Sequence, residues 1–258
     1  MTLFQPVSGC GSQCRDGRAV KVSRPATVLR LAAAAAVLLL GLVIVPVGGR
    51  RALPTVARGI LAALGVTLRR AGPAVRPGSL LVANHVSWLD VLAILAVTPV
   101  RLVAKREVRG WAGIGLLAAL SGMIFVDRTR PTTLPGTVAE VTAALRAGHP
   151  VAVFPEGTTF CGTTRGRFRP ALFQAAVAAG APVVPVSIGY GSTEGSRSTD
   201  AAFVGSDTLW SSVCRVARLR GLTVTMVSSP ALHPAADADR RALARAAQAS
   251  VGGWSLAA

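Results

Sequence analysis

From residue 79 onward, short apolar runs alternate with stretches of helical periodicity. The runs predict six strands: Leu80 to Ala83, Arg101 to Ala104, Met123 to Val126, Val151 to Phe154, Val183 to Ile188 and Leu222 to Val227. Helices are predicted near residues 87 to 97, 110 to 120, 133 to 147, 171 to 179 and 236 to 250, and residues 190 to 218 receive no assignment. Such alternation is typical of a mostly parallel sheet. The predicted fold class is therefore α/β, with a mostly parallel central sheet flanked by helices.

The first 50 residues have a different pattern. Residues 1 to 30 are polar and basic without apolar periodicity, which predicts a disordered tail. No charge occurs from Leu31 to Gly49, and at about 1.5 Å rise per residue a helix of this length approaches the thickness of a bilayer core. We expect this segment to span a membrane or to insert partway, with a cleaved signal peptide as the alternative.

Apolar residues from Leu53 to Leu68 recur at helical spacing beside three arginines. This pattern predicts either an amphipathic helix at the membrane interface or a helix packed on the core. Residues 31 to 70 are thus predicted to be a membrane-anchoring module, and residues 71 to 258 a single α/β domain. Arginines flank the apolar run on both sides, so the positive-inside rule assigns no orientation. An insertion that returns to the same leaflet satisfies both flanks.

The chain is basic and apolar. Hydrophobic residues make up 51% of it, and 28 Lys and Arg oppose 11 Asp and Glu, for a formal net charge of +17. Such a charge favours polyanionic partners, although an arginine-rich genome explains part of it. The aromatic content of 5% and the lack of base-stacking or zinc-finger patterns argue against nucleic acid. An anionic membrane or a phosphorylated lipid is the better match.

The four cysteines, Cys10, Cys14, Cys161 and Cys214, are too few for a disulfide scaffold in a chain of this length. The Cys10 and Cys14 pair has no further Cys or His nearby in the sequence, as a zinc site would require. We therefore expect free thiols in a reducing compartment and no metal site.

The strongest chemical signal follows the first of the six strands. His85 lies where a strand turns into a helix, and Asp90 follows five residues later. Open α/β sheets place their sites at such turns. A histidine is a suitable general base near neutral pH, and a carboxylate can hold its ring and stabilise the imidazolium. For the two to meet, His85 has to lie in the turn and Asp90 one turn into the helix; a helix cap and a solvated aspartate are the alternative.

Four blocks in order resemble the phospholipid acyltransferase family, typified by bacterial 1-acylglycerol-3-phosphate acyltransferases. Residues 84 to 90 resemble its NHxxxxD motif, residues 122 to 128 its GxxFxxR motif, residues 154 to 158 FPEGT, and residues 184 to 186 its last VP-containing strand. The resemblance spans roughly residues 79 to 190. The sequence departs from the usual family pattern at Thr159 and at Arg169-Pro170-Ala171, which affects the headgroup more than the reaction.

The resemblance implies an O-acyltransferase. His85 would deprotonate the acceptor hydroxyl, which attacks a thioester, and Asp90 would orient the imidazole. The substrate-binding residues that it implies are Asn84, Gly122, Phe125, Arg128, Glu156, Gly157 and Thr158. Arg128 would bind phosphate, and the Glu156 carboxylate would orient the acceptor or Arg128. No metal and no cofactor are expected besides acyl-CoA or acyl carrier protein, which serves as donor.

The expected acceptor is 1-acylglycerol-3-phosphate, acylated at its second hydroxyl to give phosphatidate at the cytoplasmic side of the cell membrane. Another lysolipid, such as lyso-ornithine lipid or a lysophosphatidylinositol-type molecule, is a close alternative. A non-catalytic protein that binds anionic lipid is an alternative of another class, although the intact His85 and Asp90 argue against it.

Overall fold

The computed structural model describes residues 7–111, 113–192 and 195–252, in which helices cover both faces of a seven-stranded sheet. The strands are β1 (Thr67–Ala71), β2 (Leu80–Ala83), β3 (Arg101–Lys105), β4 (Ile124–Val126), β5 (Val151–Val153), β6 (Val183–Ser192) and β7 (Leu222–Ser228). The helices are α1 (Arg24–Gly48), α2 (Leu53–Ala63), α3 (Leu89–Val97), α4 (Ile114–Leu120), α5 (Leu134–Arg146), α6 (Phe173–Ala179), α7 (Leu209–Arg218) and α8 (Arg240–Gly252).

The strand order decides which loops meet. It runs β1-β7-β6-β2-β5-β3-β4, and all neighbouring strands are parallel except β6 and β7. The carboxyl ends of β2, β5, β3 and β4 therefore lie on one edge of the sheet, here called the carboxyl edge. Because β6 runs past the end of β2, its last residues also reach this edge.

Alternation along the strands builds a core on each face. In β2, Leu81 and Ala83 belong to the cluster under α2, α3 and α7, whereas Leu80 and Val82 belong to the cluster under α5, α6 and α8. All four are fully buried. A central parallel strand is expected to be apolar on both faces because helices cover both. This explains why its sequence is continuously hydrophobic.

The six predicted strands and the helices predicted after residue 79 are present, with shifts of a few residues at their ends. Two elements were missed. Helix α7 lies in the unassigned region, and β1 occupies residues that were assigned to the amphipathic helix. Gly65, at φ +71°, ends that helix, because a left-handed residue cannot continue it. The predicted boundary at residue 70 therefore cuts through a strand of the sheet.

The amphipathic pattern predicted either a helix at the membrane interface or a helix packed on the core, and α2 packs on the core. Val56, Ala57 and Leu61 are buried in it. It also packs closely against α1. This is seen at Gly41 of α1, where an added Cβ would lie 2.9 Å from a methyl group of Val56. The lack of a side chain on Gly41 lets the two helix backbones approach each other.

Helix α1 is long and apolar enough to cross a membrane, and most of its surface is exposed. It begins at Arg24 with Ser23 as its N-cap, seven residues before the apolar run. The large hydrophobic side chains that are exposed on it are Val28, Leu29, Leu39, Leu40, Val43, Ile44 and Val47.

The described part of the predicted tail, residues 7–23, lies against the domain, so the prediction of a disordered tail is wrong for these residues. The buried Asp200 carboxylate accepts hydrogen bonds from the backbone N–H groups of Gly17 and Ala19, at 2.8 and 3.1 Å. Arg15 forms an ion pair with Asp207 at 2.7 Å. The composition gave a wrong prediction here, because polar residues that hydrogen-bond to a partner far along the chain have the same composition as a disordered tail.

Candidate active site

His85 and Asp90 form a hydrogen-bonded pair at the carboxyl edge. His85 lies in the turn after β2, and Asp90 is the second residue of α3. The Nδ1 atom of His85 is 2.8 Å from Oδ2 of Asp90. This is the arrangement that the sequence required of the pair. An imidazole that donates from Nδ1 carries its lone pair on Nε2, the position of a general base.

The Asp90 carboxylate is fully buried and has a partner for each oxygen. Its Oδ2 accepts the backbone N–H groups of Val86 and Ser87, at 2.6 and 2.9 Å, in addition to the histidine ring. Its Oδ1 accepts the hydroxyl of Tyr190, which reaches it from β6. A buried carboxylate is tolerated only with such partners. The turn is therefore shaped around Asp90.

Tyr190 was missed by the sequence reasoning. It is the only tyrosine in the chain and lies within the buried strand β6, but no local motif connects it with Asp90. Burial raises the pKa of Tyr190 well above its usual value, and the neighbouring Asp90 carboxylate raises it further. Tyr190 therefore stays a neutral hydroxyl that donates to the carboxylate.

The His85 ring is stacked on Phe154, with ring centroids 4.0 Å apart and planes inclined by 14°. Phe154 ends the strand segment that leads into the FPEGT block, and its place under the ring was not predicted. The imidazole side chain remains 19% exposed, and no described residue hydrogen-bonds its Nε2. The ring is thus fixed on one face and at Nδ1.

Glu156 supports the His85 turn from β5. Its two oxygens accept backbone N–H groups, Oε2 from His85 at 2.7 Å and Oε1 from Gly166 at 2.9 Å. Burial raises the pKa of Glu156 to about 7, against the opposing effect of these hydrogen bonds. The carboxylate does not bond to Arg128, so the predicted role of orienting Arg128 is wrong. It holds two loops together beside the histidine.

Asn84 also has a positioning role, and its predicted substrate contact stays a prediction. Its side chain is buried and exchanges two hydrogen bonds with the backbone of Ile188 in β6, at 2.9 and 2.8 Å. These two hydrogen bonds of the side-chain amide extend the pairing of β2 and β6 by one step. His85 follows directly, so this bond helps to fix where the histidine turn begins.

Arg128 and Gly157 meet at the carboxyl edge. Arg128 follows β4, and its guanidinium donates to the backbone carbonyl of Gly157. Gly157 has φ +74°, a conformation that glycine adopts readily and other residues avoid. Thr158 follows it and lines a cavity that also contains Glu156. These predicted residues are brought together in the structure.

Gly122 is not brought to this site. It precedes β4, whereas Arg128 follows it, so the two ends of the motif lie at opposite edges of the sheet. Gly122 has φ +69°, and an added Cβ there would approach Arg50 and Arg101. Gly122 therefore forms a turn at the edge opposite His85, and its predicted contact with substrate stays a prediction. Phe125 lies within β4 and contacts the Arg109 guanidinium, 5.8 Å from the ring centroid.

A cavity of about 400 Å³ opens beside Glu156 and Thr158. Its basic lining comes from two regions of the chain, Arg167 and Arg169 after the FPEGT block and Arg241 and Arg245 of α8. Four guanidinium groups around one cavity favour an anionic ligand, because each can donate paired hydrogen bonds to phosphate or carboxylate oxygens. The α8 arginines were not predicted as part of any site.

Three thiols meet near the site. The sulfurs of Cys10, Cys14 and Cys161 lie within 4.8 Å of one another, and Cys161 is in the loop after FPEGT. The prediction of no metal site rested on the absence of a third ligand near the first two in sequence. The fold supplies that third thiol.

Comparisons with known proteins agree with this architecture. Residues 65–189 match the family model described as Acyltransferase. The chain is 34% identical to the 1-acyl-sn-glycerol-3-phosphate acyltransferase of Neisseria meningitidis, over 77% of this chain and 78% of that protein. It is 36% identical to the lyso-ornithine lipid O-acyltransferase of Pseudomonas aeruginosa, over 74% of this chain and 73% of that one.

The fold is similar to that of the crystal structure of the 1-acyl-sn-glycerophosphate (LPA) acyltransferase, PlsC, from Thermotoga maritima. The TM-score is 0.61 at 20% sequence identity, and the match covers 80% of this chain and 81% of that one.

Replacement of Tyr190 by phenylalanine tests the buried carboxylate. Tyr190→Phe leaves one oxygen of Asp90 without a donor, and an unsatisfied buried acceptor costs about 1–3 kcal/mol. We expect kcat to fall while KM changes little, because a carboxylate with one donor fewer orients the imidazole less firmly, and steady-state kinetics of the purified chain measure both constants. Ser187→Ala is the matched control, because it removes another hydroxyl from β6 that bonds to Val251 instead. Equal kcat values for the wild type and Tyr190→Phe would contradict the assignment.

The raised pKa of Glu156 predicts a pH-dependent stability. Between about pH 4.5 and pH 7 the folded chain binds this proton and the unfolded chain releases it, so stability falls as pH rises. The full effect is about 3 kcal/mol at most. Glu156→Gln does not titrate, so the melting temperature of the wild type minus that of the variant should be more positive at pH 5 than at pH 8. A constant difference, or a larger one at pH 8, would refute the prediction.

Proposed function

The chain belongs to the phospholipid acyltransferase family, and on this premise we propose that it transfers a fatty acyl group from acyl-CoA or acyl carrier protein to the sn-2 hydroxyl of 1-acylglycerol-3-phosphate. The observation that carries the proposal is the His85 and Asp90 pair, whose Nε2 faces no protein partner in the described residues. Two relatives named 1-acyl-sn-glycerol-3-phosphate acyltransferases, each 34% identical, support the acceptor.

The proposed reaction needs one base and no covalent enzyme intermediate. Nε2 of His85 takes the proton of the acceptor hydroxyl as its oxygen attacks the thioester carbonyl. The new C–O bond forms, the C–S bond breaks, and the leaving thiolate accepts the proton from the imidazolium. Asp90 stabilises the imidazolium during this exchange. General-base action of this kind contributes about 10²–10⁴-fold, and holding the two substrates together supplies further acceleration.

Arginines at the carboxyl edge support an anionic acceptor. Arg128 is held beside the FPEGT turn through the Gly157 carbonyl, which leaves its other N–H groups for a phosphate. The arginine-lined cavity next to Thr158 supplies further positive charge within the same region. We assign the acceptor phosphate to Arg128, and the anionic groups of the donor to the cavity.

Lyso-ornithine lipid is the second candidate acceptor. Relatives with that name are 36% and 38% identical to this chain. The departure from the usual family pattern at Thr159 also bears on the headgroup. Its hydroxyl donates to the carbonyl of Phe203, whose own N–H donates to the Val86 carbonyl. This bond holds residues around 203 next to the histidine turn.

We further propose that α1 embeds in one leaflet at the cytoplasmic face and does not cross the membrane. Near its start, Arg30 donates to the carbonyls of Ala217 and Leu219, at 3.2 and 2.7 Å. Just after its end, Arg50 lies 3.2 Å from the His149 ring. Both ends therefore rest on one domain, which a crossing would divide between two compartments. The exposed apolar side chains of α1 and the net positive charge suit an anionic bilayer surface.

Acyl transfer from radiolabelled oleoyl-CoA to a panel of lysolipids tests the function. We expect the detergent-purified wild type to label lysophosphatidate in preference to lyso-ornithine lipid and lysophosphatidylinositol. His85→Ala should reduce the rate by about 10²–10⁴-fold because the base is lost. His233→Ala is the matched control, since this histidine is exposed and far along the chain from the pair.

Preferential labelling of lyso-ornithine lipid would replace the proposed acceptor and keep the reaction. If all acceptors stay unlabelled with oleoyl-CoA, the same panel with acyl carrier protein as donor decides between the donors. Full activity in His85→Ala would exclude the proposed base.

Protease access in inverted membrane vesicles tests the one-leaflet insertion. Cleavable tags fused to the two termini of the full chain should both be removed from the outside, which is the cytoplasmic face of such vesicles. A tag placed on a periplasmic protein of the same vesicles is the control for sealing. Protection of the N-terminal tag alone would indicate that α1 crosses the bilayer.

A further inference from the structure

The three clustered thiols come from two distant parts of the chain. Cys14 ends a short 3-10 helix, Ser12–Cys14, in the N-terminal segment, residues 7–23, and Cys10 lies two residues before that helix. Cys161 lies in the loop after the FPEGT block. All pairs of their sulfur atoms are within 4.8 Å. The fourth cysteine, Cys214, lies on α7 outside this group. Packing of the N-terminal segment against the domain is what creates the cluster.

The surroundings of the cluster are enclosed. Cys10 and Cys161 are buried, at 7% and 1% exposure, and Cys14 is partly exposed. The hydroxyl groups of Thr163 and Thr164 lie 3.0 and 3.5 Å from the Cys161 sulfur, where they can donate to a thiolate. A metal-bound thiolate is commonly held by such outer hydrogen bonds.

The geometry suits a small thiophilic cation. Two cysteines with three residues between them have a spacing that is usual for a zinc-ligand pair. With Zn–S bonds of about 2.3 Å, tetrahedral coordination places sulfurs about 3.8 Å apart, so the cluster needs to contract by about 1 Å at most. No fourth Cys, His, Asp or Glu joins the group among the described residues. The fourth position is thus left for water.

We propose that Cys10, Cys14 and Cys161 bind a divalent cation of the zinc class, which fastens the N-terminal segment to the loop beside His85. The consequence follows from the neighbours of Cys161. Phe160 donates its N–H to the His85 carbonyl at 2.8 Å, and a Cβ at Gly162 would lie 3.6 Å from Val86. Bound metal would therefore restrain the loop that contacts the histidine turn.

Binding exchanges protons for metal–sulfur bonds. Three S–H groups lose their protons to solvent as three Zn–S bonds form, so affinity should rise with pH and no oxidant is required. A disulfide is the competing chemistry for neighbouring thiols, but it joins only two of the three sulfurs and leaves the third unpaired. The meeting of three thiols, two of them buried, favours the metal.

Metal content of the full-length protein in detergent tests the site, with zinc as the probe. The protein is stripped with chelator under a phosphine reductant, zinc is added back, and retained metal is measured by mass spectrometry after desalting. Wild type and the matched control Cys214→Ser should retain stoichiometric zinc. Cys161→Ser and Cys14→Ser should bind at least about 100-fold more weakly. Cys14 is partly exposed, so its variant should fold even if the Cys161 variant does not.

Cobalt supplies a second readout. Cobalt added to the stripped wild type should give the near-ultraviolet thiolate-to-cobalt charge-transfer band, and Cys14→Ser should lose most of it. Equal zinc retention in wild type and Cys14→Ser, or no retention by the reduced wild type, would overturn the proposal. A disulfide between Cys10 and Cys14 that persists under the reductant, seen as a loss of two hydrogens by mass, would also overturn it.

The fastening role has its own test. Arg18 is exposed in the N-terminal segment, and trypsin needs that segment to detach locally before it can cleave there. Zinc should slow this cleavage several-fold in the wild type and in Cys214→Ser, but not in Cys14→Ser. Zinc binding with unchanged cleavage would refute the fastening role. Because none of these readouts measures acyl transfer, their failure is distinguishable from failure of the proposed function.

Discussion

The buried charge of Asp90 is the constraint around which the active-site region is built. A carboxylate without water requires hydrogen-bond donors, and this one takes two from its own turn, one from the His85 ring and one from Tyr190 on β6. To supply them, the chain has to curl tightly between β2 and α3 and β6 has to extend beyond β2. The same contacts fix the ring of the histidine. Satisfying a charge and orienting a base are thus one structural solution.

The rest of the site is arranged as support for that turn. Glu156 ties the backbone of His85 to Gly166, Asn84 joins the start of the turn to β6, and Phe154 lies flat under the ring. These side chains come from the ends of two strands, β2 and β5, and parallel topology brings those ends to one edge. Several residues of the family motifs therefore act on the histidine through the backbone. Arg128 and the arginine-lined cavity are the parts that remain available to substrates.

The N-terminal region links an exposed apolar surface to the rest of the fold. Helix α1 rests on the domain at both ends, leaves apolar side chains exposed between them, and follows a segment that is bound to Asp200. The exposed apolar surface of α1 and the His85 turn are thus parts of one packed unit. The cysteine cluster lies where the N-terminal segment meets the loop after FPEGT. A lipid acceptor would need to travel only from the bilayer surface to the carboxyl edge.

Local signals sufficed for the strands from β2 onward, for most helices and for the His85 and Asp90 pair, because burial on two faces and a five-residue spacing are written in neighbouring residues. They did not suffice for Tyr190, for the third thiol or for the anchoring of residues 7–23, since each depends on a partner a hundred or more residues away. Gly122 shows the opposite limit. It shares a motif with Arg128, but β4 lies between them and places the two residues at opposite edges of the sheet. The sequence by itself thus determined the fold class and the chemistry that His85 offers. Which donors satisfy Asp90, and which side chains surround His85, was decided only when parallel strands brought distant ends together.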